Sequence, residues 1–438
     1  MTLDRRAFLR WSAATSAAAA LGARASARPQ GGSNYRALVC VFLYGGADTL
    51  NLLVPTSTTE YGEYSSSRGN LAESPSSLLG INPVGATGGV SWGLHNRTPE
   101  LRDLFEAGKL SFLLNVGPLV RPLSKAEYTA GVLPRPAFLF SHIDQQREWL
   151  LAHALGNQKD GWGGRVLEAL PNAGGTSGVP AGVNLENKSL FLKNGAASPY
   201  TFGRDGLIPL GLASDPERRA ALEAVTRAEH PLARELGAVR RRSLEIEDAL
   251  ATVLPSAPNF GGFPGSTLGQ DLKQIARLIS VRGQLGVERQ VYFVGVRDFD
   301  THSGQAGRLP VLFDDLSASL GAFQAAIDQL GEGPNVTGFV SSEFGRTLSS
   351  NGTGTDHGWG GHAFVFGGGL QGRRLFGTRP SLALDGPDDV GRGRLLPTTG
   401  VDQVAATLAK WLGVPPAQLP SLFPNLPNFP VSDLGFMG

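Results

Sequence analysis

The run Ala37-Leu-Val-Cys-Val-Phe-Leu43, closing in Tyr44-Gly45-Gly46-Ala47-Asp48, decides the fold. It is apolar without alternation, so a strand built from it must bury both faces, as strands of a parallel sheet do. Working outward, 98–107 reads as a helix with Thr98 as N-cap and Pro99 in its first turn. A second buried strand follows over 110–116, then helices over 141–155 and from 160 onward. Further along, the pattern predicts a helix over 268–285, a strand over 289–296, a helix over 309–330 and a strand over 336–341. A strand over 363–366 and a helix over 401–412 complete it. This alternation argues for an α/β fold: a mostly parallel central sheet with helices on both faces. The charged, helix-periodic stretch 215–254 interrupts it and reads as a helical insertion or lid.

Ligand sites in such sheets form outside the carboxyl ends of the strands. Three clusters of carboxylates and imidazoles fall there or close by. They are Asp298-Phe-Asp300-Thr-His302, Ser342-Glu343-Phe-Gly-Arg346-Thr347 and Thr355-Asp356-His357-Gly-Trp-Gly-Gly-His362. The chain has seven histidines, and three of them lie in this stretch. Imidazole and carboxylate together make a ligand set for one or two divalent ions, whether zinc, manganese or calcium. Asp300 and His302, with one residue between them, project to the same side of an extended segment. Glu343 leaves an apolar strand, where an unpaired carboxylate is costly, so either Arg346 or a metal meets it. Arg346 is alternatively free for a substrate oxyanion. His357 is the first choice of ligand in the glycine-rich third cluster, where a bound ion would offset the cost of ordering the loop. Asp356 either ligates or orients an imidazole. His362 is either a ligand or a packed core histidine. Asp48 follows two glycines that let the chain turn sharply, and reads either as a ligand or as a turn aspartate. Ser141 opens a helix after an apolar stretch, as an activated nucleophile or as an ordinary N-cap, with His142 beside it as a further ligand or a local hydrogen-bonding group.

Several functions are excluded. Gly89-Val-Ser91-Trp-Gly93 has the spacing of a nucleophile elbow but no apolar strand leads into it. Gly367-Gly-Gly369-Leu-Gln-Gly372 lacks a following helix, so it is a poor dinucleotide loop. Cys40 is the sole cysteine, so there is no intramolecular disulfide, and its apolar setting marks it as a core residue. The first 27 residues read as a cleavable twin-arginine export signal. Arg5-Arg6 precedes a short small-residue apolar stretch and the small-x-small sites Ala23-Arg-Ala25 and Ala25-Ser-Ala27. Their loss removes four arginines and one aspartate, a net +3, taking the formal charge from +1 to −2. No basic patch argues for nucleic acid, and no second long apolar segment argues for a membrane span. The expected product is a single 35–438 domain in the periplasm or outside the cell.

Six segments together resemble the bacterial domain of unknown function family 1501: Phe42-Leu-Tyr-Gly-Gly-Ala-Asp48-Thr-Leu-Asn51, Ser141-His142, Gly161-Trp162-Gly-Gly-Arg165, Asp300-Thr-His302, Ser342-Glu-Phe-Gly-Arg-Thr347 and Gly354-Thr-Asp-His-Gly358. That family is in turn similar to the alkaline phosphatase superfamily, sulfatases included. The resemblance implies an alkaline-phosphatase-like fold with a two-metal site at the C-terminal edge of its sheet. It makes Asp48 the first-strand metal aspartate, places Ser141 near the nucleophile, and gives Asp300, His302 and His357 as later ligands. The implied activity is hydrolysis or transfer at a phosphate or sulfate ester, on a small molecule or a polymer, with an exported protein as a further partner. The chain departs from the relatives at Glu343-Phe344, where they carry an Asp-His pair, so one imidazole is missing.

Overall fold

The computed structural model describes residues 34–438 except 86, 157, 171–177, 187–188, 196–198, 208–214, 218 and 221–230. The expected export segment, 1–27, lies outside the described residues. Of the insertion expected over 215–254, Pro231–Val253 forms one long helix, and 218 and 221–230 lie outside.

The main sheet is built from β1 (Arg36–Leu43), β2 (Leu110–Gly117), β3 (Gly182–Asn184), β4 (Tyr200–Thr201), β5 (Arg289–Val296), β6 (Val336–Ser342), β7 (Gly361–Gly367), β8 (Leu375–Phe376) and β9 (Thr399–Gly400). Across the sheet the order is β8-β2-β7-β6-β1-β5-β3-β4, with β9 paired to β2. β1 is central and parallel to both neighbours: Cys40 lies opposite Phe293 on one side and Phe339 on the other. Its two faces bury different cores. Ala37, Val39, Val41 and Leu43 pack with the helices Pro99–Glu106, Thr267–Ser280 and Gln305–Gln329. Leu38, Cys40 and Phe42 pack with His142–Leu151, Trp162–Ala169 and Val401–Leu412. The period of two in side-chain direction therefore explains why the run is apolar at every position. Cys40 is a buried core residue, as expected.

The sheet is mixed rather than uniformly parallel. β7 runs antiparallel to both β2 and β6. The chain returns from β6 through a short hairpin, Arg346–Ser350 against Thr355–His357, and so does not need the crossover helix a parallel neighbour requires. That hairpin replaces the flexible loop expected around Asp356 and His357. It is ordered by strand pairing and by the Arg346 side chain, which bonds the Thr355 hydroxyl and carbonyl. Gly89–Gly93 enters a separate small sheet of Leu53–Pro55, Leu79–Ile81 and Trp92–Leu94, consistent with its rejection as an elbow. No helix among the described residues is long and apolar enough to cross a membrane.

Candidate metal centre

Register brings the clusters together. Leu43 pairs with Val296 and with Ser342, so three consecutive neighbours in the sheet end at the same edge. The segments leaving them, 44–48, 297–302 and 343–346, must share that space. Glycine makes it possible. A Cβ on Gly45 (φ +120°) would stand 2.3 Å from the Asp300 backbone nitrogen. One on Gly46 (φ +79°) would stand 2.2 Å from the Phe344 ring. Both positions combine a left-handed conformation with close approach, which only glycine accepts at low cost.

Four side chains from three regions then meet. His142, at the start of its helix, places Nε2 3.4 Å from Asp300 Oδ2. His302 and His357 place Nε2 at 3.2 and 3.5 Å from Asp300 Oδ1. His302 Nε2 and His357 Nε2 are themselves 2.8 Å apart. Ligand atoms of His142, Asp300 and His357 all lie within 4.8 Å of one another. Each imidazole is held from behind through Nδ1. His142 Nδ1 donates to Glu343 Oε1 at 2.9 Å, His302 Nδ1 to Asp356 Oδ1 at 3.2 Å, and His357 Nδ1 to the Phe140 carbonyl at 2.7 Å. Phe344 packs against the rings of His142 and His357, at 5.0 and 4.7 Å between centroids. The cluster is open to solvent: His302 and Asp300 keep 45 and 42 % of their side-chain surface exposed.

Protonation states follow from these partners. Burial works against the charge on Glu343, but hydrogen bonds from His142, Gln146 and the Gly45 amide hold its carboxyl below the usual range. Asp356 is likewise lowered, first by its bond from Asn351. Burial also opposes the charge on Asp300, and Arg346, His302 and His142 outweigh it. Ionised carboxylates and a carbonyl only accept, so each Nδ1 carries a proton and each Nε2 of a neutral ring presents a bare lone pair. Two lone pairs 2.8 Å apart repel. A cation seated between them, or a proton on one ring, relieves that repulsion. Burial depresses the pKa of His357, which disfavours the proton there. The Glu343 bond raises that of His142.

Several expected site residues do other work. Asp48 does not join the cluster: it is fully buried, ion-paired with Arg68, and its Oδ2 accepts from Gln305 Nε2 at 2.5 Å. Glu343 is also fully buried, with Oε1 shared among His142, Gly45 and Gln146 and Oε2 accepting from Ser342. It orients His142 instead of facing the Nε2 atoms. Asp356 does the same for His302. Arg346 pairs with Asp300 at 2.8 Å, not with Glu343. Its remaining bonds go to the Gly45 carbonyl and to Thr355, and it has no exposed surface to offer an oxyanion. Ser141 occupies the N-cap position without a capping bond, and its hydroxyl donates to Asp144 at 2.6 Å. His362 is the packed alternative: it is buried, accepts the Asn115 amide at Nδ1, and burial lowers its pKa to about 4. Sequence reading missed the Phe140 carbonyl, a backbone group with no signature, and Arg68, which lies 20 residues from its partner.

The model of a family described as "Protein of unknown function (DUF1501)" matches residues 213–420, so the resemblance seen in the motifs is borne out over that span. No curated protein matches the chain. Similar solved structures include Ps i-CgsB, with a TM-score of 0.38 and 7 % identity over 89 % of this chain and 77 % of that one. The lipoteichoic acid synthase LtaP of Listeria monocytogenes gives 0.35 and 9 %, over 87 and 73 %. The phosphonate monoester hydrolase SpPMH of Silicibacter pomeroyi gives 0.36 and 9 %, over 89 and 77 %. At this distance the reading of the site rests on its own geometry.

Proposed function

We propose that this chain is a metal-dependent hydrolase, or a phosphoryl- or sulfuryl-transfer enzyme, acting on an ester after export by the twin-arginine route. One observation carries the reading: three Nε2 atoms face a single carboxylate, and every Nδ1 is already committed to an acceptor. This is the arrangement of imidazoles pre-oriented for an ion, with carboxylate and carbonyl partners behind them. His142, His302, His357 and Asp300 would hold it. The donor set favours zinc over calcium, which takes oxygen ligands. One ion fits better than two, because Phe344, which packs on His142 and His357, stands at the sequence position where the resemblance implies a further imidazole. A bound divalent ion supplies a water of lowered pKa and polarises an ester oxygen. Arg346 holds Asp300 ionised and in place. Solvent exposure of Asp300 and His302 leaves a face for an incoming ester.

A second reading has its own support. Ser141 and Arg346 are spent on internal bonds, so the nucleophile and oxyanion group of an ester-cleaving site are missing from their expected places. A metal-binding or assembly protein on a degenerate hydrolase scaffold, working with an exported partner, fits that observation.

Elemental analysis of the purified exported chain tests the site. About one equivalent of zinc is expected per chain, absent from the His302→Ala/His357→Ala double variant. Full metal retention by that variant rejects the centre. Asp356→Ala should keep the ion with affinity reduced roughly 10–100-fold, as for other outer partners of ligating histidines. Chromogenic phosphate, phosphonate and sulfate esters then separate the two readings: turnover lost with the metal supports the enzyme, and metal without turnover supports the second.

A further inference from the structure

Outside the imidazole cluster, a cleft of about 370 Å³ lies among residues 70–73, residues 95–97 and the first turns of Gln305–Gln329. That volume falls within the range of small-molecule sites. Its lining is of two kinds. Leu71, Leu309 and Pro310 are apolar, while Asn70, Glu73, Asn96 and Arg97 are polar. Asn70, Asn96 and Arg97 are exposed. The lining carries one carboxylate, Glu73, and one guanidinium, Arg97, so it has no net charge to select a polyanion.

His95 supplies the decisive detail. It is 2 % exposed, and its ring lies edge-on to Phe313 at 5.2 Å. Nδ1 accepts the Arg97 amide at 3.1 Å, which leaves the proton on Nε2. Nε2 lies 3.5 Å from Glu73 Oε1, too far for a good hydrogen bond. A ligand hydroxyl lying beside this pair, on the cleft side, accepts from Nε2–H and donates to the carboxylate, bridging the two. The amides of Asn70 and Asn96 add the same mixture of donor and acceptor. Asn70 is positioned by its own bond to the Gly352 carbonyl at 2.9 Å.

We propose that this cleft binds a neutral, polyhydroxylated ligand about the size of one sugar ring. Its hydroxyls meet Glu73, His95 and Asn96, and its apolar face lies on Pro310, which is half-buried. The inference is independent of the metal reading, since none of these side chains faces the Nε2 cluster.

Saturation-transfer NMR on the full exported chain tests it, with millimolar methyl glucoside, methyl galactoside, methyl mannoside and N-acetylglucosamine as probes. Transfer to at least one pyranoside is expected. It should fall at least about fivefold in both Glu73→Gln and Asn96→Ala, in keeping with loss of one hydrogen bond, and persist in His357→Ala. Asn96 is exposed, so Asn96→Ala leaves the fold intact. Absence of transfer to every probe overturns the proposal. So does transfer that both cleft variants leave unchanged, or that only His357→Ala abolishes, which would assign the sugar to the imidazole cluster.

Discussion

Asp48 offers the sharpest test, because its expected and observed roles make opposite forecasts. As a metal ligand, its removal should empty the site and leave the metal-free fold untouched. The structure instead makes it the counter-charge of a fully buried arginine. Arg68 also donates to Asn51 Oδ1 at 3.1 Å and to the Thr347 carbonyl at 2.9 Å, so it is held inside whether or not Asp48 remains. Asp48→Ala therefore strands a guanidinium and leaves the Gln305 amide without its acceptor. Breaking a buried pair in this way costs about 3–5 kcal/mol. With an unfolding entropy of about 2.1 cal/mol/K per residue over roughly 400 residues, that is a drop of about 4–6 °C in Tm. The assay is thermal melting in excess chelator, so that metal binding contributes nothing, with zinc uptake measured separately. Zinc stoichiometry should match the unaltered chain. Asp48→Ala/Arg68→Met should recover part of the loss, since it removes the uncompensated charge. An unchanged Tm together with lost zinc would refute the reasoning and return Asp48 to the ligand set.

Two further outcomes follow from the same geometry. Gly46→Ala forces a Cβ into the Phe344 ring from a left-handed backbone, so it should cost about 1–3 kcal/mol in strain and displacement. Because Phe344 packs on His142 and His357, competition against a chromophoric chelator should also show weaker zinc binding. Burial pushes Asp402 up to about 8, well above its ordinary value, and its Oδ1 finds no hydrogen bond. The folded state then keeps a proton that the unfolded chain releases, so this group's stabilisation is full below about pH 4 and is lost as pH rises to about 8. Asp402→Asn should reduce the fall in urea midpoint between pH 5 and pH 8; an identical fall in both proteins would contradict the assignment.

Sequence legibility differed between scaffold and site. The β1 run and the alternation after it were enough to foresee a largely parallel sheet clothed on both sides, because double-sided burial leaves a local mark at every position. The helix Val401–Leu412 was readable at both ends, and β6 to within one residue of its C-terminus. The reversed β7 was not. Its apolar content is that of any buried strand, and only the short hairpin before it sets its direction.

By itself, the sequence determined which chemistry was available: imidazoles and carboxylates at the exits of three strands that turn out to be neighbours. Tertiary structure alone decided how those groups were divided. Glu343 and Asp48 are both acids following apolar strands, and nothing local separates them. One was placed behind His142 and the other against Arg68, by residues 201 and 20 positions away. Burial and partner geometry, which are properties of the assembled fold, fix whether a carboxylate faces solvent, an imidazole or a guanidinium. Distant packing also turned the four Nε2 and carboxylate donors toward one point.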